Sequence, residues 1–292
     1  QYLTKVRELL SVTIAAMRCL NQQIATPHAM STVQVLVELF SGGGSLGAML
    51  TVSDSGAFLA SSILTLMTAL SMQQGRKVAH LVPHMCELAL SRLAPVAQNE
   101  AHTAELLPPL LTFVDAVIDF QFRAFVIRDT SCGNIAAAPR VFTSKEMDSY
   151  FTHLMGIVAA ILEAGSLSPE VVRQAISCID KLDQKHRILH LDTFRVNLTP
   201  HLLQLIMNNL LGKVHDLLRD DFYKLLHTIA GADMDYFFDV FLAQLIRSVP
   251  NLNETQTQAL GAAWTRTDSD LQSFGRHTRE FLDNIRSITA PS

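Results

Sequence analysis

The segment Asp235–Val249, with the sequence DYFFDVFLAQLIRSV, decides the fold class. Its apolar residues recur at positions i, i+3, i+4, i+7, i+8 and i+11, which places them on one face of an α-helix. These residues are Phe238, Phe241, Leu242, Leu245, Ile246 and Val249. Pro250 follows, and it stops the helix because it lacks a backbone N–H. The segment therefore predicts an amphipathic helix whose apolar face a neighbouring element must cover.

The same period recurs along the chain, with short polar turns between successive apolar runs. It predicts helices at 2–22, 28–40, 54–73, 77–97, 102–127, 144–164, 168–184, 187–196, 200–212, 213–230, 235–249, 253–265 and 269–287. Helix start signals agree with this division. Ser168-Pro169 and Thr199-Pro200 each place a hydroxyl before a proline in the first turn. Ser269–Gln272 has the pattern of a capping box, and Asn253 is a further candidate cap.

The order of helix, short turn, helix and slightly longer turn predicts an all-α fold, a right-handed α-solenoid of HEAT-type helix pairs. We expect a single array over residues 1–292, with surface loops at 41–53 and 128–142. A compact helical bundle would use the same amphipathic helices, so that alternative stays open. Since the chain opens at Gln1 and soon enters a helical pattern, we expect it to be a piece of a longer protein.

Composition excludes several classes of function. The formal net charge is −4, without the basic excess of a nucleic-acid binder, so we expect no nucleic-acid partner. The four cysteines lie far apart, which indicates reduced core residues and not a disulfide scaffold or a zinc ribbon. The uncharged run Ser55–Gly75 is long enough to span a bilayer. Because hydroxyl and amide side chains interrupt it, we predict a buried helix and no membrane insertion.

The stretch Ser41–Gly47, SGGGSLG, matches two well-known patterns. Its glycines fit the GxGxxG of dinucleotide-binding proteins, and Ser45 is the central residue of a GxSxG nucleophile motif. Both motifs need a strand before them and a helix after them, inside alternating β and α elements. Val33–Phe40 could form that strand, but no further parallel strands follow. We therefore interpret the stretch as a loop between helices, and we predict no enzyme activity and no cofactor.

Two histidine pairs have the spacing of a helical metal face. His80 and His84, followed by Glu87, form the first pair, and His186 and His190 form the second. A proline interrupts the first pair, and both lack the further cysteine or carboxylate ligands of a usual zinc site. We predict no metal site and no catalytic residue.

Acidic and aromatic residues gather toward the end of the chain. The aspartates are Asp233, Asp235, Asp239, Asp268 and Asp270. Carboxylates act as an acid–base pair only when they are buried together, whereas most of these precede a predicted helix and suit helix capping. We expect Trp264 and the pair Phe237 and Phe238 to pack in the core and not to form a base-stacking platform.

The last hundred residues contain an ordered set of short motifs. They include Val214–Leu218 (VHDLL), Tyr236–Phe238 (YFF), Asp268–Phe274 (DSDLQSF) and Asp283–Arg286 (DNIR), preceded upstream by Pro108–Leu111 (PPLL) and Phe120–Phe125 (FQFRAF). This order and spacing resembles the C-terminal region of the exportin-6 family, the exportins for actin–profilin within the importin-β (karyopherin) superfamily. The likeness covers roughly residues 105 to 288.

The resemblance implies the C-terminal repeats of a nuclear export receptor, which binds protein cargo together with the GTP form of the small GTPase Ran. It implies actin–profilin as cargo, shuttling between nucleus and cytoplasm, and Ran binding through the full-length protein. It transfers no cargo-binding residue to a position of this chain, so the cargo-binding residues stay unknown. A helical-repeat scaffold or adaptor unrelated to transport would share this composition and is the alternative.

Overall fold

The computed structural model describes residues 2–20, 34–35, 37–40, 47, 50, 53–73, 78–128, 141–143, 145–212, 215–250, 252–262, 264 and 270–289. The chain divides into two compact units. Unit 1 comprises Gln1–Val158 and Gln184–His186, and unit 2 comprises Ala159–Asp183 and Arg187–Ser292. The expectation of a single array over the whole chain stays a prediction.

Unit 1 is built from helices with one small hairpin. Its elements are α1 (Tyr2–Leu20), α2 (Asp54–Ser71), a 3₁₀ turn (Ala79–Leu81), α3 (Val82–Leu88), a π-helix (Ala89–Leu93), α4 (Ala94–Ala97), α5 (Thr103–Phe125), β1 (Val126–Arg128), β2 (Val141–Thr143) and most of α6 (Lys145–Glu163). Residues 34–35 and 37–40 are also helical. Within this unit α2 packs against both α1 and α5, so each helix covers the apolar face of another.

Unit 2 is also helical throughout its described part. Its elements are α7 (Pro169–His186), whose last three residues belong to unit 1, a 3₁₀ turn (Ile188–His190), α8 (Asp192–Asn197), α9 (Thr199–Gly212), a 3₁₀ turn (Asp216–Leu218), α10 (Arg219–Ala232), a π-helix (Tyr236–Phe241), α11 (Leu242–Ser248), α12 (Glu254–Ala262) and α13 (Leu271–Thr289). Within this unit α9 packs on α8 and α10, α11 packs on α12, and α13 packs on α10 and α9.

This architecture confirms the predicted fold class, an all-α solenoid of helix pairs. The right-handed sense of the array stays a prediction. The segment predicted as a loop at 128–142 is bounded by an antiparallel hairpin, in which Val126 pairs with Thr143 and Arg128 with Val141. Helical periodicity gave no sign of these short strands. In the predicted surface loop at 41–53, the described residues are Gly47 and Leu50, which are buried, and Ser53, which is exposed.

The apolar segment that begins at Ser55 forms most of α2, which is buried on most of its sides, as predicted. Ser53 caps this helix by accepting a hydrogen bond from the Gly56 N–H at 3.2 Å. The hydroxyls of Thr65, Thr68 and Ser71 donate to backbone carbonyls one turn earlier, so the polar groups of this apolar helix are satisfied internally. Among the described helices, none combines the length and the hydropathy required to cross a bilayer.

The segment 235–249 differs in one respect from the predicted regular helix. Residues Tyr236–Phe241 form a π-helix, which adds a residue to the turn and shifts the register of the side chains. As a result Phe237 is fully buried and Phe238 only partly so, although the period of 3.6 residues placed Phe238 on the apolar face. Phe238 therefore packs at the margin of the apolar face, against Phe237 and Trp264, and Phe237, which a strict α-helical period leaves off that face, is the more buried of the two.

The predicted helix starts agree with the structure in their positions, but not all of the predicted capping hydrogen bonds form. Asn253 and Gln256 form a reciprocal capping pair, with Asn253 Oδ1 accepting from the Gln256 N–H at 2.7 Å and Gln256 Oε1 from the Asn253 N–H at 3.0 Å. Ser168 occupies the cap position of α7, but its side chain makes no capping hydrogen bond. Thr199 is the first residue of α9, and its hydroxyl donates to the Phe194 carbonyl at 3.4 Å. For Thr199 the predicted capping bond was wrong.

A buried glutamine joins two helices of unit 1. Gln121 lies in α5 at a local departure from helical geometry, with φ −108° and ψ 22°. Its Nε2 donates to the Ser71 carbonyl at 2.8 Å and to the Gln73 carbonyl at 3.1 Å. These carbonyls lie at and just beyond the C-terminal end of α2, where the last carbonyls of a helix lack an intrahelical donor. The side chain of α5 therefore supplies the capping interaction that α2 cannot make by itself.

We expect Gln121→Met to destabilise the chain by about 1–3 kcal/mol, since the change keeps the side-chain length but leaves buried carbonyls without a donor. Urea unfolding followed by circular dichroism measures the loss. Gln98→Met is the matched control, because Gln98 is exposed, and it should change the stability by less than about 0.5 kcal/mol. Equal effects of the two substitutions would show that the Gln121 bonds contribute nothing.

Candidate interaction surface

The glycine-rich stretch gives no support to a catalytic interpretation. Ser45 and the glycines before it lie outside the described residues, and Gly47 belongs to a short 3₁₀ turn. In the described part of the chain, strand structure is confined to the β1–β2 hairpin, which follows α5 and is antiparallel. Neither GxGxxG nor GxSxG functions without a parallel sheet beside it.

The described histidines of the two pairs are exposed to solvent or contact other side chains. His80 and His84 are exposed, and Glu87 accepts a hydrogen bond from the Tyr150 hydroxyl at 3.0 Å. Burial, together with this bond to a carboxylate, raises the pKa of Tyr150. His190 lies beside Arg187, with Nε2 3.1 Å from a guanidinium nitrogen. No three potential ligands from His, Cys, Asp and Glu converge within the described residues, and the expected absence of a metal stays a prediction.

His186 belongs to a polar cluster that sequence reasoning missed. Its Nε2 lies 3.0 Å from the carboxylate Oδ1 of Asp119, which is also 2.6 Å from the Lys185 ammonium. The imidazole stacks on Phe122, with ring centroids 4.1 Å apart. Asp119 is almost fully buried, so its charge requires these partners. The cluster holds the last turn of α7 against α5 in unit 1. The partners are 66 and 67 positions away in sequence, and no local motif signals them.

Two of the five aspartates near the C-terminal end, Asp233 and Asp270, cap helices, as predicted. Asp270 Oδ1 accepts from the Ser273 N–H at 2.9 Å at the start of α13, whereas Ser269 lies outside the described residues. The hydrogen bond from the Ser273 N–H and, as a smaller contribution, the bond from the Ser273 hydroxyl lower the pKa of Asp270. Asp239 is exposed, and Asp268 lies outside the described residues. The described carboxylates of this set therefore do not form a buried acid–base pair.

Asp233 combines a cap with an ion pair between two helices. Its Oδ1 accepts from the Tyr236 N–H at 3.1 Å, and its Oδ2 lies 2.5 Å from the Arg195 guanidinium. Burial by itself would raise the pKa of this carboxyl, but the hydrogen bonds and the charge of Arg195 outweigh burial and lower it below the ordinary value of 3.8. The pair connects α8 to the turn that follows α10.

The aromatic residues form the core of unit 2, which confirms the packing role expected for them. Trp264 contacts Phe237, Phe274 and Phe281, with ring centroids 5.2–5.4 Å apart. Phe238 meets the edge of Phe237 at 5.2 Å. Tilted and edge-to-face pairs of this kind stabilise a core beyond the area that they bury. Since Trp264 is buried, it does not offer a face for base stacking.

A groove of about 690 Å³ remains open between α10 and the first half of α13. Asp220 and Tyr223 line it from α10, and Leu271, Arg276 and Arg279 line it from α13. The Arg279 guanidinium carbon lies 5.6 Å from the centre of the Tyr223 ring, an arrangement that holds the cation against the groove wall. We call this feature the α10–α13 groove. The motif DSDLQSF, which spans part of this groove, predicted a family resemblance but no surface.

Comparison with protein families shows to which family the chain is related. The family model described as Exportin-6, C-terminal TPR repeats matches residues 120–289. The chain belongs to this exportin-6 family. The match agrees with the resemblance found in the sequence from residue 105 to 288. The family description names TPR repeats where the sequence predicted HEAT-type pairs; both are repeats of antiparallel helix pairs.

Curated members of the exportin-6 family align with almost the whole chain. Exportin-6-A of Xenopus laevis is 20 % identical over 281 residues, and Exportin-6 of Danio rerio is 22 % identical over 284 residues. Exportin-6 of Homo sapiens is 20 % identical over 281 residues. In each case the match covers 96 % of this chain and 24 % of the relative, so the chain spans about a quarter of the length of the relatives. No solved structure matches the chain.

We expect Asp233→Asn to lower stability at neutral pH, because it removes the charge partner of Arg195. A carboxyl whose pKa is lower in the folded state contributes stability above its unfolded pKa and loses it as the pH falls through the folded pKa. The difference in urea unfolding free energy between wild type and variant should therefore be largest above pH ~5. It should become smaller as the pH drops below 3.8. Repeating the series in an Arg195→Gln background should remove most of the difference.

Proposed function

We propose that the chain forms the C-terminal repeats of a nuclear export receptor that carries protein cargo out of the nucleus together with Ran-GTP. The observation that carries the proposal is the match of the Exportin-6 C-terminal repeat model across residues 120–289. We propose actin–profilin as the cargo and shuttling between nucleus and cytoplasm as the localisation. The proposal requires no cofactor and no catalytic residue in this part of the receptor.

The physics of helix repeats supports a binding function of this kind. Each helix pair packs mainly on its neighbours, so an array can change curvature by small adjustments at many joints. If cargo and Ran-GTP favour the same curvature, each strengthens the binding of the other. Such a coupling is typically worth about 1–3 kcal/mol, or roughly 5- to 150-fold in affinity, and it is reciprocal. Buried hydrogen bonds between helices, such as those of Gln121, would keep the individual helix pairs intact during such changes.

The proposal predicts that the full-length natural protein retains actin–profilin at least about fivefold better with Ran loaded with a non-hydrolysable GTP analogue than with Ran-GDP. A pull-down on immobilised full-length protein, quantified for actin and for profilin, measures this ratio. Actin without profilin is the control for the form of the cargo. Equal retention with and without Ran-GTP would contradict an export function and favour the adaptor alternative. Cooperative Ran-GTP binding with another cargo would retain the export function and replace actin–profilin.

A further inference from the structure

The α10–α13 groove carries two cations that the surrounding ion pairs do not use. On α10 the salt bridges within the described residues involve Arg219, Asp221 and Lys224, and on α13 they involve Asp283 and Arg286. Arg276 and Arg279 take part in none of these. Both are exposed, and they stand three residues apart on α13, so they project toward the same side of the helix. The groove therefore presents two guanidinium groups to a partner.

Asp220 also lines the groove, on the opposite wall. The described lining residues carry a net charge of about +1, from Arg276, Arg279 and Asp220, whereas the chain as a whole has a formal net charge of −4. The charge of Asp270, next to the groove, is directed to the first amides of α13. The local excess of positive charge is thus opposite in sign to the rest of the molecule, and it favours an acidic partner.

An exposed leucine lines the same groove. Leu271 is 43 % exposed and lies on the α13 wall with the two arginines. It places an apolar contact beside the two guanidinium groups. A free phosphate would fill only a small part of a groove of about 690 Å³ and would leave Leu271 uncovered. A nucleic acid would use the arginines and leave Leu271 without a partner.

We propose that the α10–α13 groove docks a short acidic segment of a partner protein, with carboxylates paired to Arg276 and Arg279 and an aliphatic side chain covering Leu271. Arginine binds carboxylates through two parallel hydrogen bonds, which gives the site directional selectivity. The ring of Tyr223 packs against the Arg279 guanidinium. This inference rests on the geometry of unit 2 alone, and it holds whether or not the receptor exports actin–profilin.

Gly275 allows the groove to be altered without disturbing the fold. It lines the groove, and a Cβ added to it would meet no atom within 4 Å. Replacing a helical glycine also removes an unfavourable backbone preference, so the variants should be at least as stable as wild type. Gly275→Glu and Gly275→Lys add side chains of comparable length and opposite charge. They therefore separate the effect of charge from that of bulk and of folding.

The test begins with a phage library of random dodecapeptides selected on the whole chain and counter-selected on the Gly275→Glu variant. We expect the recovered peptides to be enriched in Asp and Glu and to carry a leucine or another aliphatic residue. A basic or charge-neutral set of peptides, or none surviving counter-selection, would overturn the proposal.

The best recovered peptide, labelled with fluorescein, is then titrated by fluorescence anisotropy. We expect Gly275→Glu and the double variant Arg276→Gln/Arg279→Gln to weaken binding at least tenfold, and Leu271→Ser severalfold. Gly275→Lys should bind as well as wild type or better, and Asp220→Asn should bind more tightly. Equal affinity of the Glu and Lys variants would refute the charge complementarity. Displacement of the peptide by an equimolar single-stranded RNA dodecamer would assign the groove to nucleic acid instead.

Discussion

The structure depends on the requirement that every amphipathic helix bury its apolar face against another helix of the same chain. Helices shorter than about 15 residues are marginal alone in water, because they gain too little from their own hydrogen bonds. In unit 1 the requirement is met by α2, which lies between α1 and α5, and in unit 2 by successive helix pairs that α13 completes by packing on α10. The buried polar contacts, such as the Gln121 bonds and the Asp119 cluster, then determine which helices meet and in which register.

The same requirement explains how the family relationship persists at about 20 % identity. Packing between neighbouring helices needs apolar residues at particular spacings, and leucine, isoleucine, valine and methionine meet that need almost equally well. Positions with a more specific task are fewer. They include the capping residues Asn253 and Asp270, whose oxygens bind the first free amides of a helix. A sequence can therefore change at most positions while the order of helices remains.

Much of the fold could be predicted from the sequence, because helical periodicity and caps are local signals. The helix starts near 54, 103, 145, 169, 199 and 254 agree with the periods and caps that predicted them. Besides the β1–β2 hairpin, three features could not be predicted. The π turn at Tyr236–Phe241 depends on the fit of Phe237 among rings distant in sequence, and the partners of Asp119 lie 66 and 67 residues away. The α10–α13 groove exists only once two helices that are separated in sequence lie side by side. The sequence contains the charged and apolar residues of the groove, but it does not show that α10 and α13 bring them together.

The aromatic core of unit 2 has a practical consequence for following this molecule in solution. Trp264 is the one tryptophan of the sequence, and its indole is enclosed by Phe237, Phe274 and Phe281. Its ultraviolet emission is therefore an intrinsic reporter of one half of the chain, blue-shifted while that core is dry and red-shifted once water enters. The other half contributes no tryptophan signal. Comparing this emission with the far-ultraviolet signal of all helices would show whether the two units melt together or in sequence.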